Sequence, residues 1–425
     1  MGRAPGSGGT EEHPGPDLGD APRGAPALLV AFPGPVVLDL PRCGEPVGRD
    51  WFERHGLADN RISTAHLLFT RAGGAVSVED AGSRNGTWLD GQRLGSGERA
   101  RLTDGAMLRV GRTIIVYRDE LLGARMPMPP RGPLVGPFGL RAVSETLDGL
   151  ARRPPRCVLI EGETGTGKEL VASAIAEAVR PGRPYVAVNV AGIPAGVFES
   201  QLFGHVAGAY SGAGKGARGI IAAHDGGVVF FDEIGELPPE LQPKLLRFLE
   251  NGELFPVGAD RPSRADVVVV AATNRSVDRM VAEGAFRRDL YARLAVATLE
   301  LPPLRERRED LFAIACAFAL RRGEKYDVAA VDVEAVERLM VHDFPNNMRE
   351  LYAVLERVAA AEPPPALRMA AVSRVLGAPA SQRREPLTRD RVDAALRANH
   401  GNQSQAAREL GVSRGQLLRY LKSVE

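Results

Sequence analysis

Gly162-Glu163-Thr164-Gly165-Thr166-Gly167-Lys168-Glu169 is the stretch from which the rest of the 425-residue chain can be placed. The apolar run Cys157 to Ile160 precedes it and the helical stretch Leu170 to Val179 follows, giving the order strand, glycine-rich turn, helix. Repeated glycines let successive backbone N–H groups turn inward onto phosphate oxygens. The following helix adds its positive end, and Lys168 reaches the outer phosphates. All eight residues are therefore expected to cradle a nucleoside triphosphate. Glu169 departs from the usual pattern, because it stands where a Ser or Thr hydroxyl normally touches magnesium.

Downstream stretches supply what a phosphate cradle needs for hydrolysis. Gly226 to Glu233, GGVVFFDE, reads as an apolar strand ending in two carboxylates. Asp232 is expected beside magnesium and Glu233 where it can polarise water. Val267 to Ala272 is another apolar strand, and it ends in Thr273 and Asn274. Arg287, Arg288 and Arg293 lie around FRRDLYARL, where a subunit of a ring could present them to its neighbour's γ-phosphate. From Leu134 to about Ala360, strand runs alternate with amphipathic helices, which predicts a three-layer α/β nucleotide-binding core.

This stretch resembles the central domain of bacterial enhancer-binding proteins, the AAA+ ATPases that activate the sigma-54 form of RNA polymerase. The glutamate after the P-loop lysine is a trait of that family, so Glu169 ceases to be an oddity. The resemblance implies that Asn189 couples nucleotide state to Glu233, that Asp232 and Glu233 are the Walker B pair and that Asn274 is a sensor. It makes Arg287 and Arg293 the trans-acting arginines, with Arg288 in place of an acidic residue. In Pro345 to Leu351, PNNMREL, it assigns Arg349 to the nucleotide, and Asn346 replaces a glycine. Gly208-Ala209-Tyr210-Ser211-Gly212-Ala213 matches the loop that grips the sigma factor, with Tyr for the usual Phe and Ser for the usual Thr. Both substitutions keep the chemical class, and the flanking glycines allow the loop to rise and fold.

From about Ala25 to Asp119, short alternating apolar runs between turn signals predict an all-β sandwich. The candidate strands are Leu28 to Phe32, Val36 to Leu40, His66 to Thr70, Ala75 to Glu79, Thr87 to Leu89, Ala100 to Leu102, Met107 to Val110 and Thr113 to Tyr117. Polar residues cluster at its turns: Arg49 after Gly48, Ser63-Thr64-Ala65-His66, and Ser83-Arg84-Asn85 before Gly86-Thr87. These separations resemble the forkhead-associated domain, which recognises phosphothreonine. The resemblance implies that Arg49 and Ser63 contact the phosphate, that Asn85 bonds to the peptide backbone, that His66 holds the loop, and that Thr64 or Arg84 flanks the pocket. A doubly charged phosphate needs such a charged donor beside hydroxyl and backbone donors.

The last segment restarts helical periodicity after the loose stretch LGAPASQRREPL. Thr388 or Asp390 could cap a first helix. Gln403 to Leu410 forms a second, Gly411 supplies a turn, and Ser413 caps a third through Leu421. Ala406, Ala407, Leu410, Val412, Leu417, Leu418 and Leu421 make the apolar face of a helix-turn-helix. From Ser381 onward there are nine Arg or Lys against five Asp or Glu, a local +4 that the balanced whole conceals. The segment resembles the Fis-type DNA-binding domain. That likeness places Arg414, Gln416 and Arg419 toward the major groove, Arg408 or Lys422 on phosphates, and Ser413 at the recognition-helix cap.

Bulk composition carries little function of its own: 54 Lys plus Arg against 53 Asp plus Glu argue for neither nucleic acid nor membrane, so any basic surface is local. Three dispersed cysteines have no ligand spacing, and no apolar run is long enough to span a bilayer. A cytoplasmic, multidomain protein is expected: a disordered leader (1–22), an all-β sandwich (23–120), a linker (121–133), an α/β AAA+ core (134–304), a helical lid (305–375), a second linker (376–386) and an all-α helix-turn-helix (387–425). The expected cofactors are ATP and Mg2+. The expected partners are sigma-54 RNA polymerase, enhancer DNA, a phosphothreonine-bearing protein such as a Ser/Thr kinase, and further copies of the chain, from dimer to hexameric ring. Two alternatives share these parts: a phosphopeptide- and DNA-binding scaffold whose ATPase controls assembly, and a remodeller of another target.

Overall fold

The apolar runs Cys157–Glu161, Val228–Asp232 and Val268–Thr273 lack polar alternation because both of their faces are covered, the condition of inner strands in a parallel sheet. The computed structural model describes residues 24–421, apart from 96, 122, 210–214, 378–387, 400, 411, 413, 415, 416 and 419; at 195, 404 and 408 it describes the backbone alone. The five-stranded parallel sheet runs in the order Tyr185–Asn189, Val228–Asp232, Val268–Thr273, Cys157–Glu161, Thr298–Glu300. Val158, Ile160, Phe230 and Val270 meet helices Arg141–Arg152 and Lys168–Val179 on one face. Leu159, Phe231, Val269 and Ala271 meet helices Ala195–Phe203, Gln242–Asn251 and Arg288–Leu294 on the other. The strands end together, so their polar terminal residues line one crevice, where ligands bind in open α/β sheets.

The N-terminal unit is an antiparallel sandwich of a six-stranded and a four-stranded sheet. Each of the eight expected strands is present: Thr87–Leu89 and Met107–Val110 have the expected ends, and the others are shifted, Thr113–Leu121, for example, running four residues past Tyr117. Short pairings at Pro46–Val47 and Gln92–Arg93 and a helix at Arg49–Arg54 were not legible. Six residues are too few to display helical periodicity, and the helix is held by burial of Phe52.

Residues 121–133 are proline-rich yet fixed from both sides. Arg125 pairs with Asp39 at 2.6 Å, the amide of Met128 donates to the Pro137 carbonyl at 2.9 Å, and the Arg141 guanidinium donates to the carbonyls of Ala124 and Met126. The lid comprises Leu311–Arg321, Val333–Val341, Asn347–Ala361 and Met369–Leu376. Asp332 stands at the N-cap of its second helix without capping it by side chain. Its carboxylate instead accepts from Arg368 and from the amide of Met369, both at 3.0 Å.

Helices Arg389–Ala398 and Gln403–Glu409 form a small core of Val392, Ala395, Ala406, Ala407, Leu410 and Leu417. Val392 and Ala395 join the expected face from the preceding helix, whereas Val412 and Leu421 are half-buried against this core and Leu418 is half-buried outside it. No helix among the described residues is long and apolar enough to cross a membrane.

Candidate functional site

The glycine turn begins where Cys157–Glu161 ends and closes where helix Lys168–Val179 starts. Gly165 and Gly167 adopt φ of +77° and +102°, conformations that side-chain-bearing residues resist. Thr166 Oγ1 donates to the Glu163 carbonyl at 2.8 Å, tightening the turn. Lys168 Nζ folds over the turn and donates to the carbonyls of Gly162 and Glu163, both at 3.0 Å. Burial lowers the Lys168 pKa from its ordinary value, with Asp232 and Glu233 opposing. A charged amine held against partial desolvation is suited to exchange those carbonyls for phosphate oxygens. Glu169 points from the first helical turn and is exposed.

Parallel register sets Asn189 directly beside Asp232, and Glu161 beside Thr273. Glu233 has φ +57°, a left-handed conformation that is uncommon for a residue with a side chain, and its amide donates to Asp232 Oδ1 at 3.1 Å. Asn274 Nδ2 donates to Thr164 Oγ1 at 2.9 Å, tying the end of Val268–Thr273 to the cradle. The donor set fits a magnesium nucleotide: Asp232 would hold the ion, Lys168 and the turn amides the phosphates.

The lid closes over the same turn through residues that sequence reading left without a role. Asn347 is buried with φ +52°; its Nδ2 donates to the Thr164 carbonyl at 3.0 Å, and its Oδ1 accepts from the Leu304 amide at 2.8 Å. Arg305 grips the Glu163 carboxylate, and buried Arg307 donates to the Thr166 carbonyl at 3.0 Å. The signal for Asn347 lay within PNNMREL, one residue past the substituted Asn346. Arg305 and Arg307 lay just past the expected boundary between core and lid, without an expected role. Exposed Arg349 flanks Gly165 without a hydrogen bond of its own in the cradle. A narrow cleft beside the cradle is walled by Leu134, Leu140, Leu170, Ile314, Met348 and Tyr352, with Arg307 and Arg321 also lining it.

Arg287 and Arg293 sit outside this cluster, on an exposed face. Arg287 makes a two-point pair with Asp289 at 3.0 and 2.7 Å, and Arg293 lies 3.7 Å from Glu250. Gly204–His205 pairs with Ala217–Arg218 to form the stalk of the expected sigma loop, and Gly208 turns with φ +79° beside Ala209. Tyr210, Ser211, Gly212 and Ala213 lie outside the described residues.

In the sandwich, Arg49, Ser63 and Asn85 converge. Arg49 donates to the carbonyls of Ile62 and Asn60, Ser63 Oγ accepts from the Arg84 amide at 3.0 Å, and Asn85 Nδ2 donates to the Arg61 carbonyl at 2.6 Å. His66 takes the Ser63 amide on Nδ1 at 3.1 Å, which leaves Nε2 to donate to the Gly86 carbonyl at 3.1 Å. Thr64 is exposed; its carbonyl closes so near Gly48 that a Cβ there would come within 1.9 Å. Of the expected DNA contacts, Arg414 is exposed, with Nη1 3.5 Å from Glu300, and Arg408 lies in helix Gln403–Glu409. Ser413, Gln416, Arg419 and Lys422 lie outside the described residues.

Comparison with known proteins accounts for these parts in chain order. Family models match the FHA domain over residues 47–111, the Sigma-54 interaction domain over 139–300, the AAA+ ATPase lid domain over 305–388 and the Fis family of bacterial regulatory proteins over 384–422. Regulatory protein LuxO of Vibrio cholerae is 38% identical over 308 residues, 67% of each chain. The DNA-binding transcriptional regulator NtrC of a Bradyrhizobium species is 42% identical over 252 residues, 58% of this chain and 52% of that protein. HyfR of Escherichia coli is 49% identical over 203 residues, 47% of this chain and 30% of that activator. The chain thus spans about half of NtrC and under a third of HyfR. The crystal structure of NtrX from Brucella abortus superposes with a TM-score of 0.51 at 28% identity, covering 68% of this chain and 69% of that one. Its complex with ADP gives 0.50 at 29% identity, covering 68% of each. With these four domains in this order around a complete phosphate cradle, the chain belongs to the sigma-54-dependent transcriptional regulators, the bacterial enhancer-binding proteins.

Proposed function

We propose that the chain is an ATP-hydrolysing activator that works as a ring, remodels sigma-54 RNA polymerase, stands on enhancer DNA and is regulated by a phosphothreonine ligand of its sandwich. The observation that carries this reading is the gathering of Lys168, Asp232, Glu233, Asn274 and Asn347 around one glycine turn. Lys168 and the turn amides bind the phosphates of ATP. A magnesium ion at Asp232, when bound, neutralises phosphate charge. Glu233 orients the attacking water, and Asn189, beside Asp232 in register, reports whether the γ-phosphate is present.

Arg287 and Arg293 are exposed on one face, which suits them to stabilise charge in a neighbouring subunit's site. Their partners Asp289 and Glu250 keep them oriented until assembly. Hydrolysis is transmitted along the stalk Gly204–His205 to the loop at Gly208 to Ala213, which presses on the sigma factor. Arg49, Ser63 and Asn85 receive a phosphothreonine, with Thr64 at the pocket rim, and the Fis-type segment holds DNA through Arg408, Arg414, Gln416, Arg419 and Lys422 beyond the cap Ser413. Tyr210 and Ser211, in place of Phe and Thr, favour as a second reading a remodeller of another target. Open-complex formation at a sigma-54-dependent promoter decides: the wild type with ATP is expected to melt the promoter and Glu233→Gln to leave it closed. Full melting by Glu233→Gln would reject the motor.

A further inference from the structure

The sandwich and the lid share one hydrophobic core. Phe32, Met107, Ile114 and Val116 from the sandwich join Leu311 and Phe312 from the lid, with the Phe32 and Phe312 rings edge to face at 4.9 Å. Three arginines, all from the sandwich, frame this seam. Arg109 pairs with Glu337 at 2.7 Å, with side chains only 6% and 10% exposed. Arg112 donates to the carbonyls of Val328 and Val331 at 2.6 and 3.0 Å. Arg118 is held between Asp104 at 3.1 Å and Glu309 at 2.5 Å and also donates to the Glu306 carbonyl at 2.7 Å. Removing one member of such a buried pair strands the other charge, so the seam is not a casual contact.

The lid side of the seam includes the turn at 304–310, and that turn also holds the nucleotide cradle. Its side chains reach in two directions. Arg305 and Arg307 reach inward to Glu163 and the Thr166 carbonyl, while Arg308 and Glu309 reach outward to Asp90 and Arg118. Asp310, fully buried, accepts from the amides of Phe138 and Gly139, anchoring the start of the core.

The sandwich side leads to the expected peptide pocket by two short paths. Strand Thr87–Leu89 runs directly from Asn85-Gly86 to Asp90, which pairs with Arg308 at 3.2 Å, and its Trp88 ring lies under the Arg109 guanidinium at 3.6 Å. On the other path, Asp59 starts the loop that carries Arg61 and Ser63, and its carboxylate accepts the Arg112 amide at 2.5 Å.

We propose that the sandwich is a fixed outer layer of the lid, and that Asp90, Arg118, Arg308 and Glu309 are positioning residues through which nucleotide at the cradle and a phosphothreonine peptide at the Asn85 loop change each other's affinity. The proposal rests on the nucleotide-binding reading above. Linkage makes such coupling reciprocal, so an effect of nucleotide at the Asn85 loop implies an equal effect of peptide at the cradle.

Hydrogen exchange on the full chain with and without ADP tests it. ADP is expected to protect residues 162–168, and also 304–310 and 85–90. In Arg118→Ala, ADP is expected to bind about fivefold more weakly, and protection at 85–90 to vanish while that at 162–168 persists. Asp90→Asn, which removes one charge at a half-exposed site, is expected to reduce protection at 85–90 in the same way and guards against misfolding of Arg118→Ala. Protection confined to 162–168 in the wild type, or unchanged ADP affinity and exchange in both variants, would overturn the coupling and leave nucleotide binding standing. No protection at 162–168 would overturn nucleotide binding and the coupling with it.

Discussion

Arg305 closes on Glu163 through two hydrogen bonds of 2.7 and 2.8 Å, so the first turn of the lid holds the second residue of the phosphate cradle. Both side chains are mostly buried, and the pair has the planar two-point geometry that makes guanidinium–carboxylate contacts strong. Each of Arg305→Ala and Glu163→Gln is expected to weaken ADP about fivefold, with a coupling of about 1 kcal/mol in the double-mutant cycle. Titration calorimetry checks this; strictly additive losses would show that the pair does not position the cradle.

Glu233 and Lys168 are expected to separate turnover from binding. Glu233→Gln should keep nucleotide affinity within about twofold and lower the ATPase rate by about 10²-fold or more, as expected for removal of a group that orients water. Lys168→Ala should lose nucleotide binding itself. Single-turnover kinetics beside equilibrium binding distinguish the two, and an unchanged rate in Glu233→Gln would take this carboxylate out of the reaction.

Gly165 is expected to tolerate no side chain. A Cβ would lie 2.3 Å from the Asn346 carbonyl, and the backbone there has φ +77°. Gly165→Ala should therefore push the lid off the cradle, cost about 1–3 kcal/mol and weaken ADP. Thermal melting with and without ADP reads both effects; wild-type values would mean that the lid yields freely.

His66 gives the sandwich a pH dependence. Burial lowers its pKa, opposed by the Gly86 carbonyl and by Asp80 and Asp59, and the neutral ring must accept the Ser63 amide. The folded value lies below the unfolded value of about 6.5, so the unfolded chain takes the proton first. This contribution is complete above about pH 6.5 and is lost as the pH falls below it. Asp80, whose pKa is lowered from 3.8 by hydrogen bonds from Ser83 and Thr87 that outweigh its burial, titrates well beneath that window. Sandwich stability and binding of a phosphothreonine peptide are expected to fall together between pH 6.5 and 5. A flat profile for both would show that Ser63 does not depend on the ring.

The chemistry of the cradle was legible because short-range sequence order fixes it. A strand, three glycines and a lysine leave one geometry, and apolar runs ending in Asp232 and Asn274 can end only at the same sheet edge. The grip of the lid was not legible, since Arg305, Arg307 and Asn347 meet the turn across 141 to 183 residues and look like ordinary surface residues in sequence. The seam was hidden for a related reason: Met107–Val110 and the start of Thr113–Leu121 are buried on both faces, and nothing local says that the outer face meets a helix of the lid. Proline content predicts a linker at 121–133, whereas Arg125 and Arg141 fix it through carbonyls and a carboxylate that composition does not reveal.

The proposed grip of a ring on the sigma factor is tested most directly by capture of sigma-54 RNA polymerase in the presence of ADP and aluminium fluoride, with the wild type and with residues 208–213 deleted. The wild type should retain the polymerase only with the transition-state mimic, and the deletion should abolish retention while leaving ATPase activity. Equal retention by both proteins, or none by the wild type, would contradict the assignment of Gly208 to Ala213 as the part that moves the sigma factor.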